Sequence, residues 1–247
     1  MQRVPGDRGA AEDGFGLHRP ILGTAAAFVL AGCEGPLSIL DPAGPSARAI
    51  ATVWWWMLGV AALVFVGTVA AWLLALRRRA APSGEQARRG ARRWLVVGGL
   101  LLPSVAVLAL LLAGSPAALH QLPLPGGGAA PLRVHAIGSQ WRWELHYPDA
   151  GVTRVGELRL PAGRAVDVHT ESRDVIHSFW VPRLGGKLDA VPGHVRVVRL
   201  QADAPGRYRG VCAEYCGSGH ADMVMTVVAM EPAAFDAWLD SQRPPAR

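Results

Sequence analysis

Two long stretches of this 247-residue chain carry no charge, and they constrain its fold more than any other feature. Between Arg48 and Arg77 lie 28 uncharged residues with an apolar centre at Val53–Leu76. A helix needs about 20 apolar residues to cross hydrocarbon, so 53–76 is predicted to span a membrane. Trp54, Trp55 and Trp56 stand at one end, where aromatic rings meet headgroups. Trp94–Ala113 (94–113) is a second predicted span. Its mid-span Pro103 is tolerable where neighbours or local distortion satisfy the freed carbonyl. The 17 residues between them, 77–93, hold seven arginines (77, 78, 79, 88, 89, 92 and 93) and one acid, Glu85. The positive-inside rule makes this loop cytoplasmic. The spans then form a hairpin, and both outer flanks, 33–52 and everything after Ala113, face the other side.

The arginine loop also explains most of the net charge of +6. Residues 1–130 carry 11 basic and 6 acidic side chains, while the remainder carries 14 and 13. No folded half has the basic face that nucleic acid requires, so no nucleic-acid partner is expected. Three cysteines exclude a disulfide-dense scaffold. Ile21–Gly32 is apolar, too short to span, and preceded by Arg19, which reads as the core of a secretory signal over 1–32. It ends in Leu30-Ala31-Gly32-Cys33, which resembles a bacterial lipobox. That resemblance implies cleavage before Cys33 and lipidation of it, in agreement with the exported side derived from the arginines.

Residues 114–130 form a linker rich in Pro, Gly and Ala. Beyond it the texture changes to short runs of β-branched and aromatic residues: Arg133–Ile137, Trp141–Tyr147, Ala165–Thr170, Val175–Val181, Val195–Leu200 and Met223–Met230. Pro and Gly clusters punctuate them, which predicts an all-β sandwich or barrel over 131–230. Phe235, Trp238 and Leu239 recur at helical spacing, so 231–247 is expected to hold a closing helix, Pro232–Gln242.

Chemistry concentrates in Cys212-Ala-Glu-Tyr-Cys216-Gly-Ser-Gly-His220-Ala-Asp-Met223 and in a distant His177. Two thiols, an imidazole and a thioether within 12 residues favour copper or zinc over magnesium or calcium. The thioether argues for copper. Gly217 and Gly219 let the loop turn tightly. Other readings compete. Cys212 and Cys216 could form a disulfide in an oxidising compartment, which leaves His220 and Met223 unexplained. A mononuclear blue-copper site needs a single cysteine. His177 alone could be an ordinary strand histidine.

The whole pattern, CAEYCGSGHADM with DVIHSFWVP and LGGKLDAVPG upstream, resembles subunit II of bacterial cytochrome c oxidases of the haem–copper family. The likeness runs from Cys33 to the C-terminal helix. It implies a cupredoxin-like Greek-key barrel carrying the dinuclear copper centre called CuA. Cys212 and Cys216 would bridge both coppers. His177 and Met223 would complete one copper, and His220 with the backbone carbonyl of Glu214 the other. Trp141, in Gly138-Ser-Gln-Trp-Arg-Trp143, falls at the family's electron-input tryptophan, whereas Trp143 reads as a packed strand residue. The Glu214 carboxylate matches the family's ligand to a magnesium ion shared with subunit I. Lys187 and Asp189 match a polar pair beneath the copper loop. The implied partners are cytochrome c, subunits I and III, and membrane lipid. The implied location is the bacterial plasma membrane, multi-pass, with the copper domain in the periplasm or outside.

The sequence departs from the family in places. An acid that often opens the second span is replaced by Arg92 and Arg93, and His194 stands where arginine is more usual. No Cys-x-x-Cys-His follows the copper domain. Two other functions stay in view: a copper-free structural subunit II of a quinol oxidase, and a copper-carrying assembly or storage protein. The resemblance implies that copper-free relatives lack the cysteines and histidines kept here. An assembly protein would need an accessible, exchangeable site.

Overall fold

The computed structural model describes residues 33–77, 84–124 and 130–244. The signal expected over 1–32, residues 78–83 of the arginine loop and 125–129 of the linker lie outside the described residues. The chain divides into two units, Met1–Gly35 and Pro36–Arg247, and only residues 33–35 of the first are described.

Helix α1 spans Pro45–Arg77, 33 residues. At 1.5 Å per residue it is about 50 Å long, against a hydrocarbon layer of about 30 Å. The surplus lies at its start, eight residues before Val53, where Ser46, Ala47 and Ala51 are buried on the β domain. Small side chains allow that approach, and the preceding backbone is tied in. The Ala43 N–H donates to the Arg183 carbonyl at 2.7 Å, and the Asp203 N–H to the Ala43 carbonyl at 2.9 Å. A Cβ on Gly44 would fall 2.1 Å from the Gln201 carbonyl oxygen, so only glycine fits there. Residues 33–52, expected as a segment outside the span, thus include the first two turns of α1.

Helix α2 (Gly84–Arg93) carries Arg88, Arg89, Arg92 and Arg93 and runs straight into a π-helical stretch, Trp94–Leu101, then α3 (Leu102–Leu119). The arginine segment is therefore helical from Gly84 on, and helix continues five residues past Gly114, into the stretch expected as linker. The π register has a local cause. Pro103 has no N–H to donate and crowds the carbonyl four residues back. Just before it, the Leu102 N–H reaches the carbonyl of Val97, five residues away, and the widened turn absorbs the clash. Both helical segments are long and apolar enough to cross a membrane, and their apolar windows have no buried residues. Leu63 is 74% exposed and Trp94 71%, which water would not tolerate over such an area. The chain is membrane-anchored.

The rest is a β domain of two five-stranded sheets. One, in order β3-β2-β1-β5-β8, is built from β1 (Leu132–Ser139), β2 (Arg142–Tyr147), β3 (Val152–Val155), β5 (Val166–Ser172) and β8 (Arg196–Leu200). The other, β4-β10-β9-β6-β7, uses β4 (Glu157–Pro161), β6 (His177–Trp180), β7 (Leu188–Ala190), β9 (Gly206–Cys212) and β10 (Val224–Met230). β1 runs parallel to β5, and β10 parallel to β4. Alternate residues point inward, so Val134, Ala136, Trp143, Leu145, Val168, Phe179, Val198 and Val227 fill one core. Helix α4 (Pro232–Ser241) closes it with Phe235 and Trp238 against Tyr147. The hydroxyl of Tyr147 donates to the Arg159 carbonyl at 2.8 Å, which satisfies its buried oxygen. The architecture is the one expected, an apolar helix pair followed by a cupredoxin-like β domain.

Candidate metal centre

Two neighbouring strands and one loop build the site. β6 and β9 pair antiparallel with Phe179 opposite Cys212, so His177 at the start of β6 and Cys212 at the end of β9 meet at the same sheet end. The chain then leaves the sheet for residues 213–223 and returns as β10. The Cys212 N–H donates to the Met223 carbonyl at 2.9 Å, pinching that loop closed at its base. A 3-10 turn, His220–Asp222, turns the loop back on itself.

The donors converge. Cys212 Sγ lies 3.8 Å from His177 Nδ1, 3.9 Å from Cys216 Sγ and 3.2 Å from the Glu214 carbonyl oxygen. Cys216 Sγ lies 3.6 Å from His220 Nδ1 and 3.8 Å from Met223 Sδ. Ligands held about 2.0–2.3 Å from one ion stand roughly 3.3–3.8 Å apart, so the spacing suits metal coordination. The two sulfurs are not bonded to each other. His177, Cys212, Cys216 and Met223 are buried, and His220 is half-buried. The donor set is sulfur and imidazole, with one backbone carbonyl and no carboxylate, which fits copper and does not fit magnesium or calcium.

The surroundings orient these donors. Asp174 Oδ1 lies 2.8 Å from His177 Nε2, leaving Nδ1 facing Cys212. Partial burial works to raise the Asp174 carboxyl, but bonds from the Gln140 N–H, His177 and the Val175 N–H outweigh it and hold it down at about 2. Burial, then the neighbouring Cys212, push the Cys216 thiol up to about 11, so a metal must displace its proton to bind. A Cβ on Gly138 would fall 2.9 Å from the His177 ring, so the ring sits directly on the β1 backbone. Trp143 Nε1 is buried without a partner among the described residues, and its ring packs edge-on to His177 and Phe179. It is a packed strand residue, as its alternation suggests.

Trp141 is different. Its Nε1 donates to the Cys216 carbonyl at 3.3 Å, beside the Gln140 side chain at 2.8 Å, while 41% of the residue stays exposed. One edge of the indole touches the cysteine loop and the other faces solvent. The Glu214 carboxylate pairs with Lys187 at 3.5 Å, both about half exposed. Sequence reasoning missed Asp174 and Gln140 as orienting residues. The Asp three positions before His177 was a usable signal, since a ligand histidine needs an acceptor for its second nitrogen.

Fold and cluster together define a class: a cupredoxin-like β domain, carried on an apolar helix pair, with a buried Cys/His cluster compatible with copper. Residues 154–230 match the family described as "Cytochrome C oxidase subunit II, periplasmic domain". A cytochrome c oxidase subunit 2 from Alkalihalophilus pseudofirmus is 34% identical over 85% of this chain and 64% of its own length. One from Thermostichus vulcanus is 44% identical over 45% and 34%. A ubiquinol oxidase subunit 2 from Acetobacter aceti is 30% identical over 88% and 73%. The chain spans less than two thirds of the length of the first two relatives. It belongs to the subunit II family of haem–copper oxidases.

Proposed function

We propose that this chain is the subunit through which electrons reach a cytochrome c oxidase, and that its cysteine loop holds a dinuclear copper centre, CuA. The observation that carries this reading is the continuous run of donor atoms at 3.6–3.9 Å from His177 through Cys212 and Cys216 to His220 and Met223. Cys212 and Cys216 would hold it as thiolates. His177, Met223, His220 and the Glu214 backbone carbonyl would supply its remaining donors. Such a centre would supply one-electron transfer between cytochrome c and the haem of subunit I, the subunit in which oxygen would be reduced to water and protons pumped.

The chain's own residues do the rest. Asp174 fixes the His177 tautomer and ring plane. Gln140 and Trp141 clamp the Cys216 carbonyl, so the loop keeps its shape when the charge at the site changes. A site that hardly moves on reduction loses little driving force to reorganisation. Trp141 is the electron-input residue, because its exposed edge offers a donor a path ending at the cysteine loop. The Glu214 carboxylate, exchanging Lys187, is the ligand to magnesium at the contact with subunit I, and subunit III completes the complex. Cys33 carries lipid, and the β domain lies on the periplasmic or outer side of a bacterial plasma membrane.

The likeness to a ubiquinol oxidase subunit 2 favours a second reading, a copper-free structural subunit of a quinol oxidase. Burying two thiols, a thioether and an imidazole at one sheet end serves no structural need of such a subunit. The test is an assembled oxidase carrying Cys216→Ser. Loss of cytochrome c oxidation with the complex still assembled supports the first reading. Activity at the normal rate overturns it.

A further inference from the structure

Three histidines stand side by side on the outer face of the first sheet. His146 on β2 and His169 on β5 both lie directly opposite His135 on β1. The His135 and His169 rings stack, 10° from parallel with centroids 5.0 Å apart, and the His146 ring lies 6.3 Å from His135 on the other side. All three are half-buried. The Nδ1 of His146 is 3.0 Å from the Thr153 hydroxyl. The side chains of His135 and His169 make no hydrogen bond among the described residues. The neighbouring carboxylates are already engaged: Glu144 by Arg173 in two bonds of 2.7 Å, and Asp167 by Arg199 at 2.7 and 2.9 Å. Glu171, one pair further along β5, faces the same side.

We propose that His135, His146 and His169 form a second metal site, for a divalent transition ion of the zinc or copper type. Three imidazoles without sulfur, with the Glu171 carboxylate as the one unengaged acid beside them among the described residues, select such ions over magnesium and calcium. Adjacent strands stand about 4.8 Å apart, so an ion above the middle strand lies within reach of side chains on both neighbours. His135 is the shared central ligand. Thr153 holds one nitrogen of His146, and the other makes no hydrogen bond among the described residues, the usual arrangement behind a ligating histidine. The stacked rings of His135 and His169 turn about their side-chain torsions to aim at one ion, which their solvent-facing sides permit. This site is surface-borne and exchangeable, whereas the cysteine cluster is buried and sulfur-rich, and neither depends on the other.

Zinc titration of the full chain in detergent tests the proposal, with Cys212→Ser and Cys216→Ser present to disable the sulfur cluster. One zinc per chain is expected. His135→Gln is expected to weaken binding at least tenfold, and His146→Gln and His169→Gln each to weaken it measurably. Zinc should raise the thermal midpoint of the three-histidine chain and not that of His135→Gln, while the metal-free midpoints of the two chains agree. Should one variant fold poorly, either of the other two decides the matter. Absence of bound zinc, or wild-type affinity in the variants, overturns the proposal. With the cysteines intact, His135→Gln should bind copper at the cluster normally, so failure here leaves the electron-transfer reading untouched.

Discussion

The helix pair and the β domain contain similar apolar side chains and use them in opposite ways. In the pair they point outward: Phe65 is 69% exposed and Leu112 68%. In the domain Leu145, Leu158, Leu200 and Val134 are wholly buried. The helices are stable only where the surroundings are apolar, while the domain carries its own interior. The regions meet at the start of α1, where the side chains become small, and just past α3, where the Arg199 N–H donates to the Gln121 carbonyl at 2.9 Å. A membrane anchor must be apolar outside, whereas a metal loop needs a rigid frame, and the chain separates these demands along its length.

That separation can be attacked from either side. The largest expected effect is Cys216→Ser, which abolishes cytochrome c oxidation and copper retention while membrane insertion, followed by fractionation, stays unchanged. Loss of insertion as well would break the separation. Next is Leu63→Arg, which places a charge near the middle of α1 and costs about 2.5–3.5 kcal/mol of insertion free energy. The same change at Val155, exposed on β3, is worth about 0.5 kcal/mol or less in thermal unfolding. Equal costs at the two positions would contradict the lipid-facing assignment. Asp174→Asn should lower copper affinity about 10–100-fold with little loss of domain stability, read by copper titration beside a melting curve.

The smallest effect is on pH dependence. Burial, then neighbouring charged groups, hold His135 and His169 below the ordinary value of 6.5. The unfolded chain therefore takes up protons first as pH falls through 6.5. Stability of the metal-free chain should decline below that pH, and a double His135→Gln, His169→Gln variant should flatten the decline.

How legible each region is from sequence follows from the same contrast. A membrane span is a run, so Val53–Leu76 and Trp94–Ala113 stand out by length alone. The extension of α1 back to Pro45 does not, because Ser46 and Ala47 are small rather than apolar and their burial depends on the domain. Strands β3, β4, β7 and β9 were not expected. β9 alternates Arg207 and Arg209 with Tyr208 and Gly210, and β7 is only three residues long, so neither shows an apolar pattern. In the site, Cys212, Cys216, His220 and Met223 are legible because one loop carries them at fixed spacing. Gln140 is not, since what matters about it is a hydrogen bond across 34 residues and another across 76, whereas Asp174, three positions before His177, left a local signal. The row of His135, His146 and His169 needs strand register, which no local pattern supplies.

The most direct test of the central claim is made on the purified full chain in detergent, loaded with copper and oxidised. Bound copper is counted, and the electron paramagnetic resonance spectrum is recorded. With His135→Gln present to remove the surface row, the account predicts two coppers per chain sharing one unpaired electron equally over both nuclei. A single-copper signal, or no copper with Cys212 and Cys216 joined in a disulfide, would contradict it.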